Sequence, residues 1–131
     1  MKTLVIIKPD WTENIEFLHE FMDLVKKNGL HIVSIKKLFL GESFWKDFYI
    51  KYAGYHFFEI LIEYMSSRPS IFIIIEGKDS VDLVRWKIVG RMNSGLRSKY
   101  KIDELRNVAH ASDSLEAAST EINLFLRSNL Y

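Results

Sequence analysis

The sequence contains no cysteine, which excludes disulfide bridges and metal sites built on thiolates. Its apolar runs fall far short of the about 20 residues that a membrane-spanning helix needs. The first residues have too short an apolar stretch for a secretory signal. Internal repeats, low-complexity tracts and linkers are also missing. We therefore expect a cytoplasmic protein that does not enter a membrane.

The residues that are present suffice for one folded unit. The chain has 131 residues, of which 48% are hydrophobic. A chain of this length buries roughly two thirds of the surface that it exposes when unfolded. We expect a single domain over residues 1–131, without a second core.

The charge is unevenly distributed. Between Arg85 and Arg106 seven basic residues stand against two acidic ones, so this segment carries +5 and the remainder −4 of the net +1. The seven are Arg85, Lys87, Arg91, Arg97, Lys99, Lys101 and Arg106. Such a concentration of positive charge favours binding of a localised polyanion, such as a phosphate chain, over binding along an extended nucleic acid. A solvated loop is the alternative, and the charge alone does not separate the two.

The hydrophobic patterns predict an α+β fold. Strands are expected over residues 3–7, 30–40 and Ser70–Glu76, with a brief fourth around Val108. Ser70–Glu76 is the most apolar run and the best candidate for a central strand. Helices fall between the strands, and two of them cross over one sheet face. This order fits the ferredoxin-like split βαβ, with an antiparallel four-stranded sheet and helices packed on it.

The buried faces of the helices are predicted from apolar spacing. The first helix presents Ile15, Leu18, Phe21, Met22 and Val25, and the last presents Leu115, Ala118, Ile122 and Phe125. Residues 42–65 are expected to form two short helices. Asp79 is expected to cap the next helix, and the Ser112-Asp113-Ser114 cluster the last, with Asp113 and Glu116 as a candidate capping pair. Residues 89–106 are expected to be mostly loop.

One stretch points to chemistry, Asn107-Val-Ala-His110-Ala-Ser-Asp-Ser114. Helical side chains lean toward their own N-terminus, so Glu121 in the following helix should point back toward His110. A carboxylate that holds one imidazole nitrogen fixes the tautomer and leaves the other as a nucleophile. Alternatively, His110 only satisfies a hydrogen bond in the core and Glu121 is an ordinary surface residue. The spacing alone favours this second reading.

A resemblance shifts that balance. The motif His110-Ala-Ser-Asp-Ser114, with Asn107 before it and Glu121 eleven residues after the histidine, resembles the active-site signature of the nucleoside diphosphate kinases. Lys8-Pro9-Asp10 also resembles that family, and the resemblance covers nearly the whole chain. It implies a phosphotransferase that moves the γ-phosphoryl group of a nucleoside triphosphate to a nucleoside diphosphate. The mechanism would be ping-pong, through a phosphohistidine.

The resemblance also implies roles for single residues. His110 would be the phosphorylated nucleophile, Glu121 its orienting partner and Ser112 a hydrogen-bond donor to that carboxylate. Tyr49 matches the tyrosine whose hydroxyl lies near the histidine. Mg²⁺ would be bound mainly through the nucleotide phosphates, without metal ligands from the protein.

Substrate-binding residues follow in the same way. Lys8 and Asn107 match the residues that reach the ribose hydroxyl and the nearby phosphates, and Phe57 matches the ring that stacks on the base. Arg85 and Arg97 match the two arginines that grip the phosphates. From spacing alone, Tyr49, Phe57 and Arg85 could equally be packing residues. His19, His31 and His56 match nothing in the family and are expected to be structural or surface residues.

The chain departs from the family pattern in several places. Trp11 replaces a small residue, and Arg91 or Met92 replaces a threonine, with Arg91 able to substitute in charge. The loop before Arg97 is several residues short, and Glu104 stands where an apolar residue should face the stacking ring. A homo-oligomer is implied, a hexamer by resemblance, although a tetramer or dimer stays open because that loop helps to build subunit contacts.

Two other functions remain to be separated from this one. The first is a catalytically weakened, nucleotide-binding regulatory or assembly module on the same fold. The second is a nucleic-acid-binding ferredoxin-like domain that uses the basic segment and would bind oligonucleotides with steep salt dependence. Nucleoside di- and triphosphates, rather than nucleic acid, are the expected partners.

Overall fold

The computed structural model describes residues 1–90 and 94–130. Its sheet has four strands, β1 (Lys2–Ile7), β2 (His31–Leu38), β3 (Ser70–Glu76) and β4 (Ala109–Ala111). The order is β2-β3-β1-β4, and each neighbouring pair is antiparallel. The predicted ferredoxin-like α+β fold is therefore confirmed, including the central position of β3.

The helices connect and cover this sheet. They are α1 (Ile15–Lys27), α2 (Glu42–Phe48), α3 (Phe58–Met65), α4 (Ser80–Asp82, continuing as a π-helical stretch Leu83–Val89), α5 (Gly95–Lys99) and α6 (Leu115–Leu126). Short 3₁₀ turns occupy Pro9–Trp11, Ile50–Tyr52 and Arg127–Leu130. The two short helices predicted within residues 42–65 are confirmed as α2 and α3.

Strand alternation divides the interior into two cores, one on each face of the sheet. In β1, Val5 and Ile7 join the core beneath α1 and α4. Leu4 and Ile6 join the opposite core, beneath α2, α3 and α6. Both central strands are therefore buried on both faces, which explains their nearly continuous apolar sequence.

The predicted helix faces are only partly right. In α1 the buried residues are Phe17, Phe21 and Val25, whereas Ile15 is 64% and Met22 40% exposed. The Asn14 side chain accepts the Phe17 N–H at 3.0 Å, and this cap begins the helix so that Ile15 lies in a solvent-facing first turn. In α6, Leu115 is likewise in the first turn and exposed.

The predicted helix caps also need correction. Asp79 has a positive φ and its side chain makes no capping bond. The cluster predicted to cap α6 does so through Ser114, whose Oγ accepts the Ala117 N–H at 3.0 Å, rather than through Asp113 with Glu116.

The segment predicted as loop contains α5, which Leu96 anchors in the core. Gly90 and Gly95 both have positive φ. A side chain on either glycine would collide with the backbone around the other. Only glycine fits this close approach of the two backbones.

Candidate active site

Strand β4 is an edge strand, and its pairing decides which backbone groups face outward. On its inner side, the Lys8 N–H donates to the Val108 carbonyl at 3.1 Å and the Ser112 N–H to the Leu4 carbonyl at 3.2 Å. Backbone groups alternate in direction along a strand. The carbonyls of Ala109 and Ala111 therefore point away from β1.

Two arginines use those outward carbonyls. Arg97 donates from Nε to the Ala109 carbonyl at 3.0 Å, and Arg85 from Nη1 to the Ala111 carbonyl at 3.3 Å. His110 lies between the two acceptors. The arginines thus cover the open edge of β4 and are tied to the backbone on either side of the histidine.

His110 is bound to a carboxylate from the neighbouring helix. Its Nε2 lies 2.9 Å from Oε1 of Glu121, and the Ser112 hydroxyl donates to the same oxygen at 2.7 Å. The side chains of His110 and Glu121 are only 14% and 12% exposed. A carboxylate accepts only, so the neutral ring carries its proton on Nε2 and keeps a lone pair on Nδ1.

Electrostatics favour this neutral tautomer. Burial lowers the pKa of His110, and the nearby cations Lys8 and Arg97 lower it further, although Glu121 acts in the opposite direction. Burial alone would raise the pKa of Glu121, but its contacts with His110 and Ser112 outweigh burial, so the net shift is downward. An ionised carboxylate beside a neutral imidazole follows.

Aromatic rings enclose the histidine. The rings of Phe48 and Tyr49 meet it edge to face, with centroids 5.1 and 6.2 Å away. The Tyr49 hydroxyl is buried and has no hydrogen-bond partner within residues 1–90 and 94–130. Burial raises the pKa of this hydroxyl, so it stays protonated and able to donate to a ligand.

The histidine borders a cavity of about 560 Å³, a size typical of small-molecule sites. Its lining combines cationic and amide groups with aromatic rings and two residues of the turn before Asn107. These residues are Lys8, Tyr49, Tyr52, His56, Phe57, Leu61, Arg97, Glu104, Leu105, Asn107 and His110. An anionic group and a flat apolar group would both find partners here.

Lys8 is buried at the base of this cavity and donates from Nζ to the Leu105 carbonyl at 3.0 Å. Burial and the neighbouring Arg97 lower the pKa of Lys8 to about 7. A buried ammonium beside another cation is costly unless an anion joins them. The pair is therefore suited to a negatively charged ligand.

Most sequence-predicted residues meet at this cavity. Lys8, Tyr49, Phe57, Arg97, Asn107 and His110 line it, and Glu121 and Ser112 support His110 from behind. Arg85 reaches β4 at the Ala111 carbonyl but is not among the lining residues. Arg91 lies outside the described residues.

Sequence reasoning missed three lining residues, Tyr52, His56 and Leu61. His56 is exposed, as expected of a surface residue, but its ring also lies beside Phe57, with centroids 5.7 Å apart, and it lines the cavity. The aromatic density of residues 48–58 was the available signal. The close spacing of residues around a 3₁₀ turn, rather than α-helical periodicity, brings these rings to the cavity.

Several lining residues of the cavity lie on residues 94–107, which we call the outer segment. Trp11 packs against this segment. Its indole Nε1 donates to the Arg106 carbonyl at 3.4 Å, and its ring meets that of Tyr100 edge to face. Tyr100 and Lys99 both donate to Glu20 on α1, at 3.0 and 2.7 Å. The large residue at position 11 thus fills the space between β1 and the outer segment.

The fold and the cavity define a class, an enzyme with one activated histidine at the edge of a ferredoxin-like sheet, facing a cation-lined nucleotide-sized cavity. A family model described as nucleoside diphosphate kinase matches residues 1–130. The nucleoside diphosphate kinase of Methanobrevibacter smithii is 34% identical over 98% of this chain and 88% of its own. The nucleoside diphosphate kinase of Methanosphaera stadtmanae is 37% identical over 95% of this chain and 84% of its own. The chain belongs to the nucleoside diphosphate kinase family.

A solved structure supports the same assignment. The crystal structure of the Aquifex aeolicus nucleoside diphosphate kinase has a TM-score of 0.85 and 31% identity, over 95% of this chain and 93% of that one. Among the helices of the described residues, none is long and apolar enough to cross a membrane.

Proposed function

We propose that this protein transfers the γ-phosphoryl group of a nucleoside triphosphate to a nucleoside diphosphate, through a phosphohistidine at His110. The observation that carries the proposal is the 2.9 Å contact between His110 Nε2 and Glu121, on a histidine that borders a cation-lined cavity. A held, neutral imidazole is a nucleophile. Family membership supports the same reaction.

In the first half-reaction the Nδ1 lone pair of His110 forms a bond to the γ-phosphorus, while the bond from that phosphorus to the β–γ bridging oxygen breaks. The bridging oxygen keeps the electron pair, and the nucleoside diphosphate leaves. A second diphosphate then enters the same cavity, and its terminal oxygen takes the phosphoryl group back from Nδ1. Glu121 compensates the charge that the ring gains while Nε2 keeps its proton.

The other residues position the substrate. Arg97 and Lys8 neutralise the phosphates, and Arg85, at the same open edge of β4 as Arg97, adds positive charge. Asn107 and Lys8 reach the ribose and the adjacent phosphate. The Tyr49 hydroxyl and Oδ1 of Asn107 are buried and have no hydrogen-bond partner among the described residues, so they offer a donor and an acceptor that a bound nucleotide would satisfy. Arg91 is proposed to add charge near the phosphates.

Phe57 is proposed to stack on the base. Tyr52 lies beside it, with ring centroids 5.4 Å apart, and both rings line the cavity. Stacking uses a face that every base has, so it holds the base without selecting it.

The residues fit a magnesium ion that arrives with the nucleotide. In the described parts of the chain no group of three or more His, Cys, Asp or Glu could hold a metal ion. The cavity is lined mainly by cations and neutral groups, which suit the phosphates of a Mg²⁺–nucleotide rather than a free cation. When bound, the ion neutralises charge on the outer phosphates.

A homo-oligomer and a cytoplasmic location complete the proposal. β2 is the second sheet edge, and it leaves Val33 and Ile35 each 50% exposed. An apolar edge strand is a surface that a second copy can cover. A hexamer is proposed by resemblance, with tetramer and dimer as the other outcomes of a solution mass measurement.

The decisive assay follows phosphoryl transfer from ATP to a panel of diphosphates in the presence of Mg²⁺. Parallel double-reciprocal lines are expected, as is complete loss of transfer in His110→Ala and full activity in His19→Ala, which alters an exposed histidine. Nucleotide binding seen as a rise in melting temperature, with no transfer to any diphosphate, would instead establish a regulatory or assembly module.

A further inference from the structure

A second cavity, of about 330 Å³, lies between α6 and the end of α2 with its 3₁₀ turn. Among the described residues, His110 lines only the first cavity, which we call the nucleotide cavity, whereas Phe48 and Glu121 line only the second. Exposed Ile50 and Lys51 also line the second cavity, so it is open to water. Water therefore reaches the carboxylate that holds His110 from a side that the nucleotide does not occupy.

Phe48 stands between this water and the histidine. It is the last residue of α2, and Tyr49 is the C-cap. Consecutive helical side chains diverge by about 100°, so the two rings approach His110 from different directions. The Tyr49 ring lines the nucleotide cavity, and the Phe48 ring lines the second cavity while meeting the imidazole edge to face, with centroids 5.1 Å apart.

The Phe48 ring is held in place by other aromatic rings. Phe44 and Trp45, both fully buried, each lie with their ring centroid 5.8 Å from that of Phe48. A ring packed in this way has little freedom to swing aside, because the interior around it is filled. Phe48 is therefore a fixed partition between the second cavity and His110.

Keeping water away matters because burial has the largest influence on the pKa of His110, and it lowers that pKa. Lys8 after β1 and Arg97 on α5 lower the pKa further, and Glu121 on α6 raises it. The other titratable groups nearby are Tyr49 and, in the second cavity, Asp47, Lys51 and Glu116. Phe48 carries no charge, so replacing it leaves all these groups in place and changes the access of water.

We infer that Phe48 is a positioning residue for the phosphoryl transfer, a partition that excludes the water of the second cavity from the hydrogen bond between His110 and Glu121. The inference rests on the proposed function, in which the neutral imidazole attacks the γ-phosphorus. Water at this bond would make the protonated imidazole less costly, and a protonated ring has no lone pair on Nδ1. It would also weaken the charge compensation by Glu121.

The test uses the graded series Phe48→Leu, Phe48→Val and Phe48→Ala, which opens the partition step by step. NMR titration of the imidazole nitrogens, assigned with His110→Ala, measures the pKa of His110 in the nucleotide-free protein. This pKa should change least in Phe48→Leu, which still fills most of the space, and should rise through Phe48→Val to Phe48→Ala. If Phe48→Ala does not fold, the first two variants still give the direction.

Steady-state transfer from ATP to GDP supplies a second readout. Phe48→Ala should lower kcat at neutral pH by about 10-fold, with KM close to wild type because the lining of the nucleotide cavity is intact. The acid limb of kcat/KM should move to higher pH. Phe48→Leu should restore both quantities nearly to wild type, which would show that excluded water, rather than the aromatic ring itself, is what matters.

Phe125→Val is the matched control for Phe48→Val. Phe125 is buried in the same core and stacks on Phe72, with centroids 4.9 Å apart, but it lines neither of the two cavities. This variant removes the same atoms from the core and should lose stability. The pKa of His110 and the pH profile of kcat/KM should nevertheless stay as in the wild type.

Three results would overturn the inference. They are an unchanged pKa of His110 in Phe48→Val, an equal change in Phe125→Val, and a rise in KM at unchanged kcat in the Phe48 series. The titration needs no nucleotide and no turnover. Failure of the wild type to transfer phosphate from ATP would therefore reject the proposed function, while the titration would still show whether Phe48 keeps water from the histidine.

Discussion

The two halves of the active site are built by different means. The inner half, with His110, Glu121 and Ser112, lies on β4, the turn that follows it and α6, and its hydrogen bonds are nearly closed to water. The outer half is the outer segment, residues 94–107. There the ion pairs Lys99–Glu20 and Arg106–Asp103 join side chains that are between 32% and 54% exposed.

This difference separates chemistry from recognition. Buried hydrogen bonds to a charged group contribute about 1.5–3 kcal/mol each, whereas exposed ion pairs contribute about 0–1 kcal/mol. The nucleophile is therefore fixed by regular structure, and the substrate contacts lie on a segment that can adjust. Changes in the inner half should reduce kcat, and changes in the outer half should mainly raise KM.

Arg97 lies in the outer segment, but its side chain is bound to β4 at the Ala109 carbonyl. Substituting it therefore tests whether chemistry and recognition are separate. Arg97→Ala should lower kcat by about 10²- to 10³-fold, as expected for loss of one charge-stabilising donor. Steady-state transfer from ATP to GDP provides the measurement. Lys87→Ala, which removes an exposed charge of the same basic region, should be close to wild type. A pure KM effect in Arg97→Ala would assign this arginine to recognition alone.

Glu121→Gln should lower kcat by about 10- to 100-fold, because an amide can present the wrong atom to the imidazole and no longer balances its charge. Glu121 raises the pKa of His110, so the acid limb of kcat/KM should move to lower pH in this variant. Glu116→Gln, on the exposed side of the same helix, serves as the control. An unchanged pH profile would show that the carboxylate does not act through the histidine.

Lys8→Met should abolish tight nucleotide binding and yet stabilise the fold by about 1–3 kcal/mol at pH 6, because it removes a buried charge. In the unfolded chain Lys8 titrates near 10.5, and in the fold near 7. Between these values the unfolded state binds more protons, so the stability of the wild type rises with pH. The gain from Lys8→Met should therefore shrink as the pH rises through 7 toward 10.

Denaturant unfolding at several pH values measures this difference, with Lys2→Met, at the exposed start of β1, as the control. A gain that does not change with pH would contradict the lowered pKa of Lys8.

Trp11→Ala should have the smallest effect on catalysis. It removes the indole bond to Arg106 and the packing against Tyr100, so the outer segment should loosen, with a few-fold rise in KM and about 1–3 kcal/mol less stability. Trp11→Phe keeps the ring contact and should retain most of the stability. A large fall in kcat would mean that the two halves are not separable.

The sequence predicted the sheet well, because the runs in β1 and β3 are buried on both faces and leave little ambiguity. It predicted the helix faces less well, since Phe17 and Ile15 are both apolar and only the Asn14 cap decides which one turns inward. Motif residues such as Lys8 and Asn107 could be identified by resemblance. Tyr52 and His56 could not, because a 3₁₀ turn and tertiary packing bring them to the cavity.

The central claim is that His110 carries the phosphoryl group on Nδ1. Brief incubation with Mg²⁺ and γ-labelled ATP, followed by peptide mass analysis at alkaline pH, tests this directly. The predicted result is one acid-labile phosphoryl group on His110 that disappears when GDP is added, with none in His110→Ala. A label on another residue, or a label on His110 that added diphosphate does not remove, would contradict the account.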